Sequence, residues 1–159
     1  MKVDLYERLW MWAAAAMIVV FVGSIAATAV GRALYPPSHV ETVDPATVRT
    51  HPEFGRPGVT VEPDGRVRAV VVAQIWAFLP NEIRVPAGRP VTFRITSPDV
   101  LHGFQVVGTN VNAMVAPGYV TQITTTFDRP GEYLVVCNEY CGLGHHVMAG
   151  RLIVEEAAP

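Results

Sequence analysis

The chain has 159 residues, enough for one domain of modest size, and half of them are hydrophobic, a high share for a soluble protein. Its formal net charge of −2 argues against a nucleic-acid partner, because binding a phosphate backbone calls for a clustered basic surface. The apolar excess is not spread evenly; it sits near the N-terminus.

Residues 1–9 form a short amphipathic lead-in. Trp10 to Val30 then runs without a charge and is rich in Ala, Val, Ile, Met and Phe. About 20 apolar residues span a bilayer as a helix, so an anchor helix is expected over 10–33, within a first segment of 1–34. Trp10 and Trp12 would lie in one interfacial belt and Tyr35 near the other, in contact with lipid. A secretory signal is the rival reading, and Ala27-Thr28-Ala29 imitates a cleavage site. The apolar core of such a signal is shorter, roughly 7–15 residues, so the run reads as a retained anchor. Lys2 and Arg8 precede the span and Arg32 follows it. The slight positive-inside bias puts the N-terminus in the cytoplasm and the rest of the chain outside.

Residues 35–65 hold Pro36, Pro37, Pro45, Pro52, Pro57 and Pro63, with Gly55, Gly58 and Gly65. This composition predicts an extended linker lying along a partner or the domain, with His39 and His51 solvated. From residue 40 onward 12 acidic residues face 9 basic ones. That mild acidity neither requires nor excludes a basic protein partner.

From residue 66 to the end at 159 the character changes to short β-rich runs. Strands are expected at 67–78, 82–85, 90–96, 103–107, 119–127, 132–136 and 150–154, separated by Pro80-Asn81, Ala87-Gly88, Ser97-Pro98, Pro117-Gly118 and Arg129-Pro130-Gly131. Short strands at such spacing predict a Greek-key sandwich or barrel, whose loops gather at one end and bring distant residues together. Met114 follows a strand-like run and reads as core.

The last third carries Cys137-Asn-Glu-Tyr-Cys141-Gly-Leu-Gly-His145-His-Val-Met148, with the only two cysteines of the chain. Thiols, imidazole and thioether together suit copper, zinc or iron–sulfur chemistry. Zinc sites use Cys, His and carboxylate, whereas Met is a ligand copper accepts. One copper cannot easily use two thiolates, His145, Met148 and a further His; two coppers bridged by both thiolates can. The missing imidazole must come from elsewhere, and His102 in Ser97-Pro98-Asp99-Val100-Leu101-His102 is the best placed. The alternative is a Cys137–Cys141 disulfide, common for paired cysteines in exported domains. His146 adjoins His145 and reads as a bystander, since consecutive residues of an extended loop point apart. Gly142 and Gly144 read as suppliers of φ > 0 turns in a tightly folded ligand loop.

These segments, with Arg129-Pro130-Gly131-Glu132-Tyr133 and the anchor, resemble subunit II of the haem–copper cytochrome c oxidases and its binuclear CuA centre, over nearly the whole chain. Val43-Asp44-Pro45-Ala46-Thr47-Val48-Arg49 and the short N-terminus look most like the b-type branch. The resemblance implies a mainly β fold: one N-terminal transmembrane helix followed by a cupredoxin-like sandwich. It implies His102, Cys137, Cys141, His145 and Met148 as side-chain ligands of two copper ions, with the backbone carbonyl of Glu139 as the sixth. It also implies an electron relay in a prokaryotic plasma membrane, with the copper domain on the periplasmic face. Electrons would come from cytochrome c or a small copper protein and leave to haem in subunit I, where oxygen reduction is coupled to proton translocation.

Four residues carry finer expectations. Trp76 and Phe78 are candidates for the docking patch where electrons come in, or simply for the core, as they share an expected strand face. Their segment departs from the Trp-Tyr-Trp of many family members. Asp99 either orients His102 or forms an ordinary Ser-Pro-Asp turn. The Glu139 carboxylate resembles one that holds an interfacial magnesium in many members, a site the b-type branch tends not to keep. Glu7, in Tyr6-Glu7-Arg8-Leu9-Trp10, resembles a pre-anchor Glu of b-type oxidases at the mouth of a proton channel; an acidic residue at a helix N-terminus is also favoured by the macrodipole. The rival functions are a stand-alone membrane-tethered CuA carrier and the CuA domain of nitrous oxide reductase, whose large propeller this chain is too short to include. A thioredoxin-fold copper-delivery protein is a third rival, but it would need alternating helices and strands.

Overall fold

The computed structural model describes residues 4–31 and 40–156. They fall into two units, residues 1–39 and 40–159. Lys2, Arg32, Tyr35, Pro36, Pro37 and His39, which carried expectations about charge bias, interfacial position and linker, lie outside the described residues.

In the first unit, helix α1 covers Leu5–Gly31. At about 1.5 Å per residue its 27 residues are long enough to cross a hydrocarbon layer of about 30 Å. Its start lies earlier than expected from the charge-free run, because Asp4 accepts a hydrogen bond from the Tyr6 amide at 3.3 Å and caps the first turn. Ser24 and Thr28 donate to the carbonyls of Phe21 and Ser24, at 2.8 and 2.7 Å. Their hydroxyls are thereby satisfied within the helix, as an apolar surround demands. Large apolar side chains point outward all round, Phe21 and Val22 among them, the pattern of a helix whose solvent is lipid.

The second unit is a two-sheet sandwich. The first sheet has β1 (Gly58–Val61), β2 (Val67–Gln74), β5 (Pro90–Thr96) and β8 (Thr121–Thr126) in that order, with β3 (Ala77–Leu79) paired to β2. The second runs β4 (Glu82–Pro86), β10 (Ala149–Glu155), β9 (Gly131–Val136), β6 (His102–Val106), β7 (Asn112–Val115). β2 with β5 and β10 with β4 are parallel; the remaining pairs are antiparallel. Phe78, Phe93, Phe104 and Phe127 fill the space between the sheets, with Phe104 5.5 Å from both Phe78 and Phe93.

Three differences from the expected pattern have physical causes. The run 67–78 is not one strand: it folds back at Ile75-Trp76, and β2 and β3 pair from Gln74↔Ala77 to Val72↔Leu79. Phe78 and Trp76 therefore do not share a strand face. Residues 40–65 are not merely extended. They hold the 3-10 helix Pro45–Thr50, capped by Asp44, then β1. Val43, Val48 and Phe54 are buried against Val70 and Val72 on the outer face of β2. This explains the unbroken apolar run of β2: Val67, Ala69, Val71 and Ala73 face the main core while Val70 and Val72 face the covering segment. An ion-pair network fastens its edge. Arg94 donates to Glu53 at 2.6 and 2.9 Å and to Glu41 at 2.9 and 2.5 Å, and Arg68 pairs with Glu62. Met114, expected in the core, lies on the outer side of β7 and is 60% exposed.

Candidate metal centre

The second sheet builds the centre. β9 and β10 pair Val136 opposite Ala149, so the intervening twelve residues form a loop whose ends are held by the sheet. The Cys137 amide donates to the Met148 carbonyl at 3.2 Å and closes the loop's base. Inside it, His145 N–H donates to Gly142 and Met148 N–H to His145, turning His145–Val147 into a 3-10 turn. β6 lies beside β9, with Gln105 opposite Val136, and its first residue, His102, is fully buried under the loop.

Six groups named from the sequence come together there. The two free thiols are 3.7 Å apart. Cys137 Sγ lies 3.9 Å from His102 Nδ1 and 3.1 Å from the Glu139 carbonyl oxygen. Cys141 Sγ lies 3.6 Å from His145 Nδ1 and 3.7 Å from Met148 Sδ. Cys137, Cys141, Met148 and His102 are all buried. The disulfide alternative is not what the structure contains. His146 is exposed, whereas His145 is half-buried.

The donor chemistry fits a soft metal. Burial pushes the Cys141 thiol up to about 11, and the adjacent Cys137 adds to the shift; two thiolates at this separation need a cation between them. Gly103 N–H donates to Cys137 Sγ at 3.4 Å, placing a fixed dipole on that sulfur.

Asp99 holds His102. Its Oδ1 is 2.8 Å from His102 Nε2, which leaves Nδ1 turned toward the thiols. The same carboxylate accepts from the amides of Ile75 and Val100 at 2.8 and 2.7 Å. Burial pushes Asp99 up, but the His102 bond and the two amides outweigh it and hold the carboxyl below its usual range.

Phe78 is 1% exposed and packs edge-on against Phe104, which removes it from any surface patch. Trp76 is 41% exposed at the β2–β3 turn, and its indole N–H donates to the Cys141 carbonyl at 3.2 Å. Glu139 is half-buried beside a surface hollow lined by Gly103, Asn112, Met114 and Asn138. Glu7 occupies the first turn of α1, in the other unit.

Sequence reading missed two close approaches. A Cβ on Gly103 would lie 1.9 Å from Asn138 Oδ1 and 2.9 Å from the Asn138 amide nitrogen, so β6 lies against the ligand loop only because residue 103 is glycine. Gly144 has φ −91°, so the expected positive φ belongs to Gly142 alone, at 113°. Gly144 is instead required by Trp76, whose ring leaves no room for a Cβ.

Fold and centre together define a membrane-anchorable cupredoxin domain with a buried cluster of soft metal donors at one pole. Residues 67–157 match the family described as cytochrome c oxidase subunit II, periplasmic domain. Over 155 residues the chain is 43% identical to cytochrome c oxidase subunit 2 of Thermus thermophilus, covering 95% of this chain and 92% of that one. It superposes on a chain of a haem–copper terminal oxidase dimer solved by cryo-EM with TM-score 0.66 and 32% identity, covering 94% of this chain and 99% of that one. The periplasmic domain of subunit II of cytochrome oxidase from Bradyrhizobium japonicum shares the fold at TM-score 0.52 and 19% identity, over 56% of this chain and 83% of that one. The chain belongs to the cytochrome c oxidase subunit II family and is a subunit of a haem–copper oxidase complex.

Proposed function

We propose that this chain accepts electrons for a terminal cytochrome c oxidase at a binuclear CuA centre. Its ligands are His102, Cys137, the Glu139 carbonyl, Cys141, His145 and Met148. The observation that carries the reading is the contact between two buried thiols at 3.7 Å, each also within 3.9 Å of an imidazole nitrogen. Copper held by these residues would supply one-electron redox chemistry. The chain's own residues supply the rigidity: the β9–β10 pairing holds the loop ends, Asp99 orients His102, and burial keeps water from the sulfurs. Every donor is a protein group, so the centre relays electrons and binds no substrate.

Cytochrome c or a small copper protein is the donor, docking where Trp76 reaches the surface. The acceptor is haem in subunit I, which reduces oxygen and drives proton translocation. α1 spans a prokaryotic plasma membrane with its N-terminus cytoplasmic and the cupredoxin domain periplasmic. Glu7 then stands where protons are taken up, and an oxidase with Glu7→Gln loses proton pumping; full turnover and pumping would remove that role. A magnesium ion held through the Glu139 carboxylate would take its other ligands from subunit I.

Copper analysis and EPR of the full chain in detergent test the centre. Two coppers per chain sharing one unpaired electron are expected. A single copper with the hyperfine pattern of an isolated ion overturns the binuclear reading.

A further inference from the structure

The β2–β3 turn touches both ligand-bearing segments. Ile75 N–H donates to Asp99 Oδ2 at 2.8 Å, and Asp99 Oδ1 holds His102 Nε2 at the same distance. The next residue, Trp76, donates its indole N–H to the Cys141 carbonyl at 3.2 Å. A hydrogen-bonded path therefore runs from His102 through Asp99 and the turn to Cys141. Among the described residues, the Trp76 bond is the one hydrogen bond joining residues 139–147 to a segment outside the 137–149 stretch. The indole also lies against the loop at Gly142 and Gly144. A Cβ on Gly144 would sit 2.3 Å from Trp76 Cδ2 and 2.6 Å from Cε3, and one on Gly142 would sit 3.3 Å from Nε1. At φ −91° the backbone of Gly144 does not itself call for glycine, and the three atoms nearest an added Cβ all belong to the indole.

We infer that the β2–β3 turn is a clasp, with Trp76 as its positioning residue, that keeps the Cys141–Val147 half of the ligand loop closed over His102 before any metal arrives. The clasp serves the copper site proposed above, and its contacts are all between protein groups. A loop so held has less conformational freedom to lose on binding, so the clasp raises affinity without contributing a ligand.

The test is amide hydrogen exchange on the metal-free full chain in detergent, followed by copper transfer to a chelator from the loaded chain. Trp76→Ala removes the indole from a turn that is already part-exposed. It is expected to speed exchange at 142–147 roughly fivefold, the weight of one net hydrogen bond, with β2 and β5 unchanged. Copper transfer should quicken by a similar factor. Trp76→Phe keeps a ring without the donor and should recover part of the loss. Gly144→Ala should loosen the loop in the native background and do much less beside Trp76→Ala, because the clash partner is gone. Unchanged exchange at 142–147 in Trp76→Ala overturns the clasp. So does an equal effect of Gly144→Ala in both backgrounds, or acceleration spread through the sheets. A single copper per chain with the exchange pattern intact would sink the binuclear reading and leave the clasp standing.

Discussion

Gly103→Ala perturbs the centre through backbone spacing, without replacing any of the proposed ligands. The added methyl would sit 1.9 Å from Asn138 Oδ1, 3.0 Å from its Cγ and 2.9 Å from its amide nitrogen. The Asn138 side chain can swing away at the loss of its 3.0 Å bond to Asn112. The amide nitrogen cannot, because it follows Cys137, whose own amide is tied to Met148. β6 and the loop must therefore separate by several tenths of an ångström. Overpacking of this kind costs about 1–3 kcal/mol. The same shift stretches the bond from Gly103 N–H to Cys137 Sγ and moves His102, the preceding residue, away from the thiols. Urea unfolding of the metal-free protein should show a loss in that range, and copper should leave to a chelator at least tenfold faster, equivalent to about 1.4 kcal/mol. Gly58→Ala, with nothing within 4 Å of the new methyl, is the neutral control. Gly55→Ala, which meets the His51 and Arg49 carbonyls at 2.7 and 2.8 Å, is the control for destabilisation away from the centre. If Gly103→Ala unfolds and releases copper as the native chain does, close packing of β6 on the loop is not what sets the site.

Asp99→Asn keeps the side-chain shape but weakens the hold on His102; copper affinity should fall by about 10–100-fold, read by chelator competition, with the fold unchanged by circular dichroism. Phe54→Ala empties a fully covered position between the 40–65 segment and β2, and should lower unfolding free energy by about 3–5 kcal/mol while copper content stays the same. Arg94 holds the Glu41 carboxyl below its usual range, chiefly through their hydrogen bond. The stability from that pair is complete above the unfolded carboxylate value and is lost as pH falls through the lowered folded one, so Glu41→Gln should lower stability at neutral pH and flatten the acid limb of a denaturation-against-pH curve, the variant and native curves meeting at low pH. His146→Ala should bind copper as the native protein does, whereas His145→Ala should lose the native absorption spectrum.

Most of the candidate donors were legible because they lie within one short stretch, and soft donors so dense have few chemical uses. The apolar helix was legible for a similar reason: the length and purity of an apolar run are properties of sequence. The β character of the remainder followed from turn residues at regular spacing. The structure corrected readings that depend on what another segment does. The run 67–78 read as one strand because every residue in it suits a strand; the reversal at Ile75-Trp76 follows from partners at Asp99 and Cys141, 24 and 65 residues away. Phe78 and Trp76 were separated by that reversal, one sent to the core and the other to the surface of the centre. Residues 40–65 looked like a linker because proline and glycine dominate the composition; the few apolar residues among them, Val43, Val48 and Phe54, match bare positions on β2 that only the folded sheet presents.

By itself, then, the amino-acid sequence determined the kind of protein: a helix apolar enough for a bilayer, a β domain behind it, and most of the candidate donors of a soft-metal centre in one loop. Tertiary structure alone decided how tightly that loop is held. The contacts responsible, Gly103 against Asn138, Trp76 against Gly144 and Asp99 against Ile75, join residues far apart in the chain. Each is a matter of distance between segments, and distance between segments exists only after the sheets have paired.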